Sequence, residues 1–168
     1  RITGSLTANE SVELKSEVSG VVEKILFKEG QPVNKGQLLV ELNSDEFKAE
    51  LEILEYSKKL NEDIEYRQKQ LLAKEAISKE EYETALTTLQ TSVAEIKVKK
   101  VQIEKHKIRA PFSGTVGLRE ISAGSYISPS ELIATIYNID PIKVDFSIPG
   151  RYISELNVGD HITFSVEA

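Results

Sequence analysis

Two stretches of the chain decide its fold: residues 18–43, which read VSGVVEKILFKEGQPVNKGQLLVELN, and residues 108–128, which read IRAPFSGTVGLREISAGSYIS. The second stretch repeats the first at an offset of 94 residues, so that Gly20 aligns with Gly114 and Gly30 aligns with Gly124. Glycines repeated in register, with an apolar strand after them, predict two similar β units. Because neither unit alone has enough strands to bury a core, we expect one shared β-sandwich with Gly20 and Gly114 in equivalent positions.

The residues around the first stretch alternate as a half-buried strand does. Val12, Leu14 and Val18 are interleaved with Glu and Lys, which predicts a strand with one face in the core. Gly30 and Gly36 stand where turns are expected, since glycine tolerates the backbone angles that tight turns need.

The segment between the two copies, residues 44–107, contains no Gly and no Pro and is rich in Glu, Lys, Leu and Ala, as long helices are. Pro111 disfavours helix at the preceding residue, so a helix here should end by about residue 107. We predict two antiparallel helices over about residues 45–75 and 79–107, joined by a tight turn at residues 76–78.

Capping signals support these two helix starts. Ser78 and Glu81 have the S-x-x-E spacing of a capping box in the middle of the segment. Asn43 or Ser44 can cap the first helix, and Asn43 with Glu46 resembles a second box.

Apolar residues at alternating steps of four and three predict the seam along which the helices pack as a coiled coil. In the second helix the predicted seam is Tyr82, Leu86, Leu89, Val93, Ile96, Lys100 and Ile103. In the first helix it is less regular and consists of Phe47, Leu51, Leu54, Leu60, Ile64 and Leu71. Acidic residues that open the first helix and lysines that close the second should meet at the base of the hairpin.

Composition excludes several classes of function. A formal net charge of −6 argues against a nucleic-acid partner, because phosphate binding needs a basic surface. The chain has no Cys, and its two histidines, His106 and His161, have no cluster of metal ligands around them. No Ser/His/Asp set and no phosphate-binding loop stands out. We therefore expect a protein that is not an enzyme and carries no cofactor or metal.

The two repeated stretches resemble the biotinyl/lipoyl domain split by an α-helical hairpin, which is the arrangement of the membrane fusion protein family, the periplasmic adaptors of tripartite efflux pumps. The resemblance covers nearly the whole chain. Residues 139–160, which read IDPIKVDFSIPGRYISELNVGD, resemble the opening of that family's β-barrel domain, with a strand over residues 142–148 and a short helix over residues 151–157. The implied fold is α+β: a lipoyl-like β-sandwich split by a coiled-coil hairpin, plus the start of a β-barrel.

This resemblance implies a division of the chain into four parts. Residues 1–11 would be an incoming β-barrel strand, residues 12–43 and 108–138 the split lipoyl-like domain, residues 44–107 the hairpin, and residues 139–168 part of the barrel. The membrane-proximal domain and the N-terminal anchor of the family are expected outside this sequence.

The resemblance also implies a docking site. Arg67, Leu71 and Ser78 fit the spacing R-x3-L-x6-S, which in the family lies at the hairpin tip and contacts a TolC-type outer-membrane channel. The implied partners are that channel, a proton-driven RND transporter of the inner membrane, and further copies of the chain in a ring, a hexamer by family resemblance. The implied location is the periplasm, with the full-length protein anchored to the inner membrane.

Other interpretations remain open at this point. The chain could serve an ABC-type exporter or a type I secretion system, or it could be a structural coiled-coil module. A biotin or lipoate carrier is a further alternative, but the turn that would hold the modified lysine is replaced by the hairpin, and Lys48 nearby lies in a predicted helix. At the tip, Leu71 could belong to the seam, Ser78 could be only a cap, and Arg67 could be only a solvated charge.

Overall fold

The computed structural model describes residues 3–150 and 157–165, so the helix predicted over residues 151–157 lies outside the described residues except for Asn157. Two long helices separate two groups of strands. The elements in chain order are β1 (Gly4–Thr7), β2 (Glu10–Lys15), β3 (Gly20–Ile25), β4 (Pro32–Val33), β5 (Leu38–Leu42), α1 (Asp45–Ala73), α2 (Lys79–Lys105), β6 (Lys107–Arg109), β7 (Gly114–Arg119), β8 (Tyr126–Ile127), β9 (Leu132–Asn138) and β10 (Lys143–Phe146).

Two four-stranded antiparallel sheets enclose the main core. Their strand orders are β2-β9-β7-β4 and β6-β5-β3-β8, so each sheet contains strands from both copies of the repeat. The largest fully buried side chains also come from both copies: Val22, Leu39, Val40, Leu42, Val116, Ile127, Ile133 and Ile136. The prediction that the two halves share one core is confirmed.

The repeat is visible in the strand pairing. Gly20 lies opposite Ile127 in the β3–β8 pair, and Gly114 lies opposite Val33 in the β4–β7 pair. These two pairs are related by the same 94-residue offset as the sequence repeat, which confirms that Gly20 and Gly114 are equivalent. In each pair, the short strand of one copy (β8 or β4) lies beside the strand of the other copy that begins at the aligned glycine (β3 or β7).

The two helices form an antiparallel hairpin that interrupts the sheet domain between β5 and β6. Helix α1 and helix α2 each end two residues before the predicted limits, and β6 begins directly after the His106 cap of α2. The predicted box of Asn43 with Glu46 is wrong. Ser44 is the N-cap residue and makes no side-chain capping bond, while Asn43 Oδ1 accepts a 3.4 Å hydrogen bond from the N–H of Asp45. The chain enters the helix one residue later than the box requires.

Part of the predicted seam is also wrong. Leu60, Leu71 and Val93 are exposed to 58%, 40% and 37%, and Lys100 is exposed as well. The inward positions at alternating steps of four and three are Phe47, Leu51, Leu54, Lys58, Asn61, Glu65, Gln68 and Leu72 in α1, and in α2 they are Tyr82, Ala85, Leu89, Ser92, Ile96, Lys99 and Ile103.

The prediction selects apolar side chains for the seam. In the structure, the inward positions keep one regular spacing along each helix, and some of these positions hold polar residues. Several of those polar residues find partners across the seam, although Gln68 Oε1 is buried with no hydrogen-bond partner among the described residues. Asn61 Nδ2 donates a 2.7 Å hydrogen bond to Ser92 Oγ, and Lys99 Nζ donates to Glu50 Oε2. Pairing makes their burial tolerable, since an unpaired buried polar group is costly.

Strands β1 and β10 form a separate two-stranded sheet, in which Leu6 lies opposite Val144. The strand predicted over residues 142–148 is shorter than expected, since β10 covers only Lys143–Phe146. Within the described residues, no helix combines the length and the apolar character that a membrane crossing requires.

Candidate functional site

Within the hairpin tip, defined as residues 67–82, helix α1 ends in a Schellman motif. The N–H of Ala76 donates to the carbonyl oxygen of Leu71 at 2.9 Å, and the N–H of Glu75 donates to that of Leu72 at 2.9 Å. Glu75 occupies the left-handed position of this motif, with φ of 55°, where glycine is the usual residue. The turn itself was predicted at residues 76–78, but the Schellman motif was not, because the residue that adopts the unusual angle is not glycine.

Helix α2 begins with the capping box that the sequence predicts. The N–H of Glu81 donates to Ser78 Oγ at 3.2 Å, and the N–H of Ser78 donates to Glu81 Oε2 at 2.9 Å. Both bonds satisfy backbone donors that a helix start leaves unpaired. Ser78 therefore holds the start of α2 while its side chain stays exposed.

Arg67 and Leu71 lie one helical turn apart near the end of α1, so they share one face of the helix. The Arg67 side chain is exposed, and its Nε donates to the carbonyl oxygen of Asp63 at 3.3 Å. Over the described part of the chain, no carboxylate lies within ion-pair distance of the Arg67 guanidinium. The structure thus leaves the charge of Arg67 and the apolar surface of Leu71 facing solvent.

The seam position at this height is filled by Leu72, which is half-buried, and not by Leu71. Leu71 is therefore not the residue that fills this seam position, and 40% of its surface is exposed. All three predicted tip residues are exposed. Arg67 and Leu71 lie in the last two turns of α1, and Ser78 is the residue directly before α2.

A hydrogen bond across the seam braces the tip. Tyr82 Oη, in the first turn of α2, donates to Glu65 Oε1 at 2.8 Å. This hydrogen bond to a carboxylate raises the pKa of the Tyr82 phenol above its ordinary value. The pairing of Tyr82 with Glu65 was not predicted, because sequence spacing does not show which residues face each other across an antiparallel seam.

The base of the hairpin is fixed to the sheets through His106. Its ring packs on Phe47 with centroids 4.9 Å apart, and its Nδ1 lies 2.8 Å from the carbonyl oxygen of Gln102, which can only accept. The carbonyl oxygen of His106 accepts a 2.8 Å hydrogen bond from the N–H of Leu42 in β5. These contacts tie both helices to the sheet domain, so the direction of the arm is set at its base.

Elsewhere in the described residues, no group of three or more His, Cys, Asp or Glu side chains is arranged to hold a metal ion. Lys48 lies in the first turn of α1, where its Nζ is 3.0 Å from Asp45 Oδ1. It does not occupy an exposed turn between two strands, which is the position of the modified lysine in a carrier domain.

Comparison with known proteins identifies the family. Residues 10–137 match the family model described as RND MFP, barrel-sandwich hybrid domain. The chain belongs to this membrane fusion protein family. Its members are structural components of efflux systems and not enzymes, which confirms the prediction of a non-enzymatic protein.

Two relatives align with most of this chain. A protein of Haemophilus influenzae is 31% identical over 166 residues, which cover 99% of this chain and 44% of that protein. The antibiotic efflux pump periplasmic linker protein ArpA of Pseudomonas putida is 31% identical over 146 residues, covering 86% of this chain and 39% of the relative. The chain thus spans less than half the length of these two relatives.

A solved structure has the same architecture. The chimeric MacA–MexA protein, which contains the α-hairpin domain of Pseudomonas aeruginosa MexA, superposes with a TM-score of 0.84 at 25% identity. The superposition covers 93% of this chain and 57% of the chimera. The likeness includes the hairpin as well as the sheets, since the covered share of this chain is larger than the sheet domain alone.

Proposed function

We propose that this chain is the central part of a periplasmic adaptor that links an inner-membrane RND transporter to a TolC-type outer-membrane channel. The tip of its hairpin docks on the channel through Arg67, Leu71 and Ser78. The observation that carries the proposal is the exposure of these three residues at the end of a long arm in a chain of the RND membrane fusion family.

The chemistry of the tip suits a docking contact between proteins. Leu71 offers apolar area that no seam partner covers, and Arg67 offers a guanidinium that no neighbouring carboxylate in the described residues neutralises. Such a charge can form a charge-assisted hydrogen bond with a carbonyl or carboxylate of a partner. Ser78 keeps its capping role and still presents a hydroxyl at the surface.

Several finer statements belong to the same proposal. The hairpin is a two-stranded coiled coil, the sheet pair is a lipoyl-type sandwich, and the four-part division given above describes the domains. The full-length protein is anchored to the inner membrane and assembles into a ring, a hexamer by family resemblance. RND pairing is preferred over an ABC exporter because the matching family model is the RND one.

The test is drug and solvent susceptibility of cells in which the full-length protein carries Arg67→Asp, with its level measured by immunoblot. We expect efflux to be lost, because the proposed docking contact needs the Arg67 guanidinium. The protein level should stay normal, because Arg67 is exposed and the fold does not depend on it. Lys69→Asp is the matched control: it makes the same charge change two residues away, on another face of the helix, and should leave efflux intact.

Normal resistance in a well-expressed Arg67→Asp, Ser78→Ala double variant would show that this surface is not the docking site. Co-purification with the transporter addresses the other end of the proposal. Recovery of an ABC exporter in place of an RND transporter would reject the RND assignment while leaving the tip site untouched.

A further inference from the structure

The seam of the hairpin changes character along its length. Near the sheets, the inward positions of α1 are apolar and include Phe47 and Leu51. The inward positions of α1 between Leu54 and Leu72 are all polar: Lys58, Asn61, Glu65 and Gln68. A polar run inside a seam lowers stability unless its members find partners. The distal half of the hairpin, residues 58–93, therefore depends on specific pairing for its register.

Two hydrogen bonds provide that pairing. Asn61 Nδ2 donates to Ser92 Oγ at 2.7 Å, and Tyr82 Oη donates to Glu65 Oε1 at 2.8 Å. The buried Ser92 hydroxyl also donates to a main-chain carbonyl oxygen one turn back at 3.2 Å, so both its proton and an acceptor site are used. Gln68 Oε1 is buried and has no such bond in the described part of the chain, which opposes this register.

A second, apolar line runs directly beside the polar one. Leu60, Ile64 and Leu71 of α1 each lie one residue before an inward position, and Leu86 and Val93 of α2 each lie one residue after one. These five are apolar residues that the sequence alone predicts in the seam. A turn of α1 by about 100° around its own axis, with a smaller turn of α2, would replace the polar run by this apolar line.

Only the distal half has to turn. The apolar line joins the shared part of the α1 seam through Leu54, Ser57 and Leu60, two successive steps of three residues. Such an irregularity changes the twist of a coiled coil locally and leaves the rest in place. The packing of Phe47 on His106 can therefore stay as it is at the base, while the helices turn beyond residue 57.

The two registers differ in what the tip presents. Arg67 lies on the apolar line, three residues after Ile64 and four before Leu71. In the observed register Arg67 and Leu71 face solvent, whereas in the turned register both would face α2. The long aliphatic stem of an arginine can lie along a seam while its guanidinium stays in water, so this line tolerates Arg67. The turned register would thus cover the apolar surface of Leu71.

We propose that Asn61 with Ser92 and Glu65 with Tyr82 are positioning pairs, which keep α1 in the register that presents the docking residues of the tip. The inference rests on the proposed function. Polar pairs inside a coiled coil specify one register at a cost in stability. Without both pairs the polar run loses what favours it, and Glu65 stays half-buried without its donor. The distal half then turns to the apolar line.

The experiment measures the register directly, by the rate at which a maleimide labels a single thiol in the full-length protein. The 168 residues contain no cysteine, and any cysteine elsewhere is replaced by serine. Leu71→Cys reports an exposed position and should label fast, whereas Gln68→Cys reports an inward one and should label slowly. Adding Asn61→Ala with Tyr82→Phe should lower the rate at position 71 and raise the rate at position 68, each by about fivefold or more.

The matched control is Gln90→Ala with Tyr66→Phe. It removes an amide and a phenolic hydroxyl, as the test variant does, but at exposed positions of the same two helices. Because neither residue lies in the seam, both labelling rates should stay at their parent values. Circular dichroism of each purified variant checks that the helix content is retained.

A second pair of substitutions should reverse the effect. Leu60→Gln with Val93→Gln removes apolar side chains from the turned register, while in the observed register these residues are 58% and 37% exposed. Added to Asn61→Ala and Tyr82→Phe, they should bring both labelling rates back to within about twofold of the parent. They should also restore efflux, measured in the same backgrounds without the thiol reporters.

Opposite changes at positions 68 and 71, with efflux lost and then restored by the second pair, support the inference. Faster labelling at both positions would show that the pairs only stabilise the hairpin, and unchanged rates would show that they do not set the register. Either result overturns the inference, while loss of efflux in Arg67→Asp would still support the docking site. Opposite changes with normal efflux would keep the two registers and reject the proposed docking residues.

Discussion

The N–H of Gly30 donates a 2.8 Å hydrogen bond to the carbonyl oxygen of Val116, in the other copy of the repeat. The equivalent bond, from Gly124 to Val22, is also 2.8 Å long. Both glycines have positive φ, 72° and 85°, and both follow the same strand in their own copy. The two copies therefore hold each other's turns, and neither can complete its sheet before the chain has passed through the hairpin and returned.

The equivalent glycines Gly20 and Gly114 should respond differently to the same substitution. A Cβ at Gly114 would overlap the backbone carbonyl oxygen of Tyr137 and lie 3.0 Å from its carbonyl carbon, whereas a Cβ at Gly20 would make an ordinary 3.5 Å contact with Leu42. We expect Gly114→Ala to lower the free energy of unfolding by roughly 1–3 kcal/mol.

Gly20→Ala serves as the control and should be neutral or stabilising by less than about 1 kcal/mol. Urea denaturation followed by circular dichroism measures both. Equal losses for the two variants would mean that the close approach at Gly114 does not persist in solution.

Substitutions at Leu72 and at Leu71 should separate packing in the seam from docking on the channel. Leu72→Ala removes a half-buried seam residue and should lower the free energy of unfolding by about 1–2 kcal/mol. Leu71→Ala removes an exposed side chain and should change it by less than about 0.5 kcal/mol while reducing efflux. Thermal unfolding and susceptibility assays on the same variants check this, and a larger stability loss for Leu71→Ala would return Leu71 to the seam.

Ser78 should combine a cap with a surface hydroxyl. Ser78→Ala removes the acceptor for the Glu81 N–H and should lower the free energy of unfolding by about 1 kcal/mol. Ser78→Asp retains a capping acceptor, so its stability should stay close to that of the parent chain. Efflux then distinguishes the roles: if Ser78→Asp cells are as resistant as the parent, the hydroxyl contributes only through the cap.

Glu75 occupies a backbone conformation that a side chain disfavours. Glu75→Gly should raise the free energy of unfolding by roughly 1 kcal/mol, since glycine has no Cβ to clash at φ of 55°. Ala76→Gly, one residue further on, has no such gain to make and should be neutral or destabilising. The midpoint of thermal unfolding measures both, and a lower midpoint for Glu75→Gly would contradict the observed turn.

The sequence by itself determined the two β units and the hairpin between them. Gly20, Gly30, Gly114 and Gly124 mark the repeat because turns and close strand approaches impose local conformations that other residues adopt poorly. The absence of Gly and Pro over residues 44–107 and the box at Ser78 are equally local signals, and they placed both helices to within two residues.

Only the tertiary structure decided which residues face each other. Leu60, Leu71 and Val93 are apolar and are predicted in the seam, yet the helices pack along a register that buries Ser92 and half-buries Asn61. Apolarity alone cannot fix this register, because a polar residue enters a seam whenever the partner helix offers it a hydrogen bond. The exposure of Leu71 beside Arg67 follows from that register, since pairing across an antiparallel hairpin depends on contacts between residues far apart in the chain.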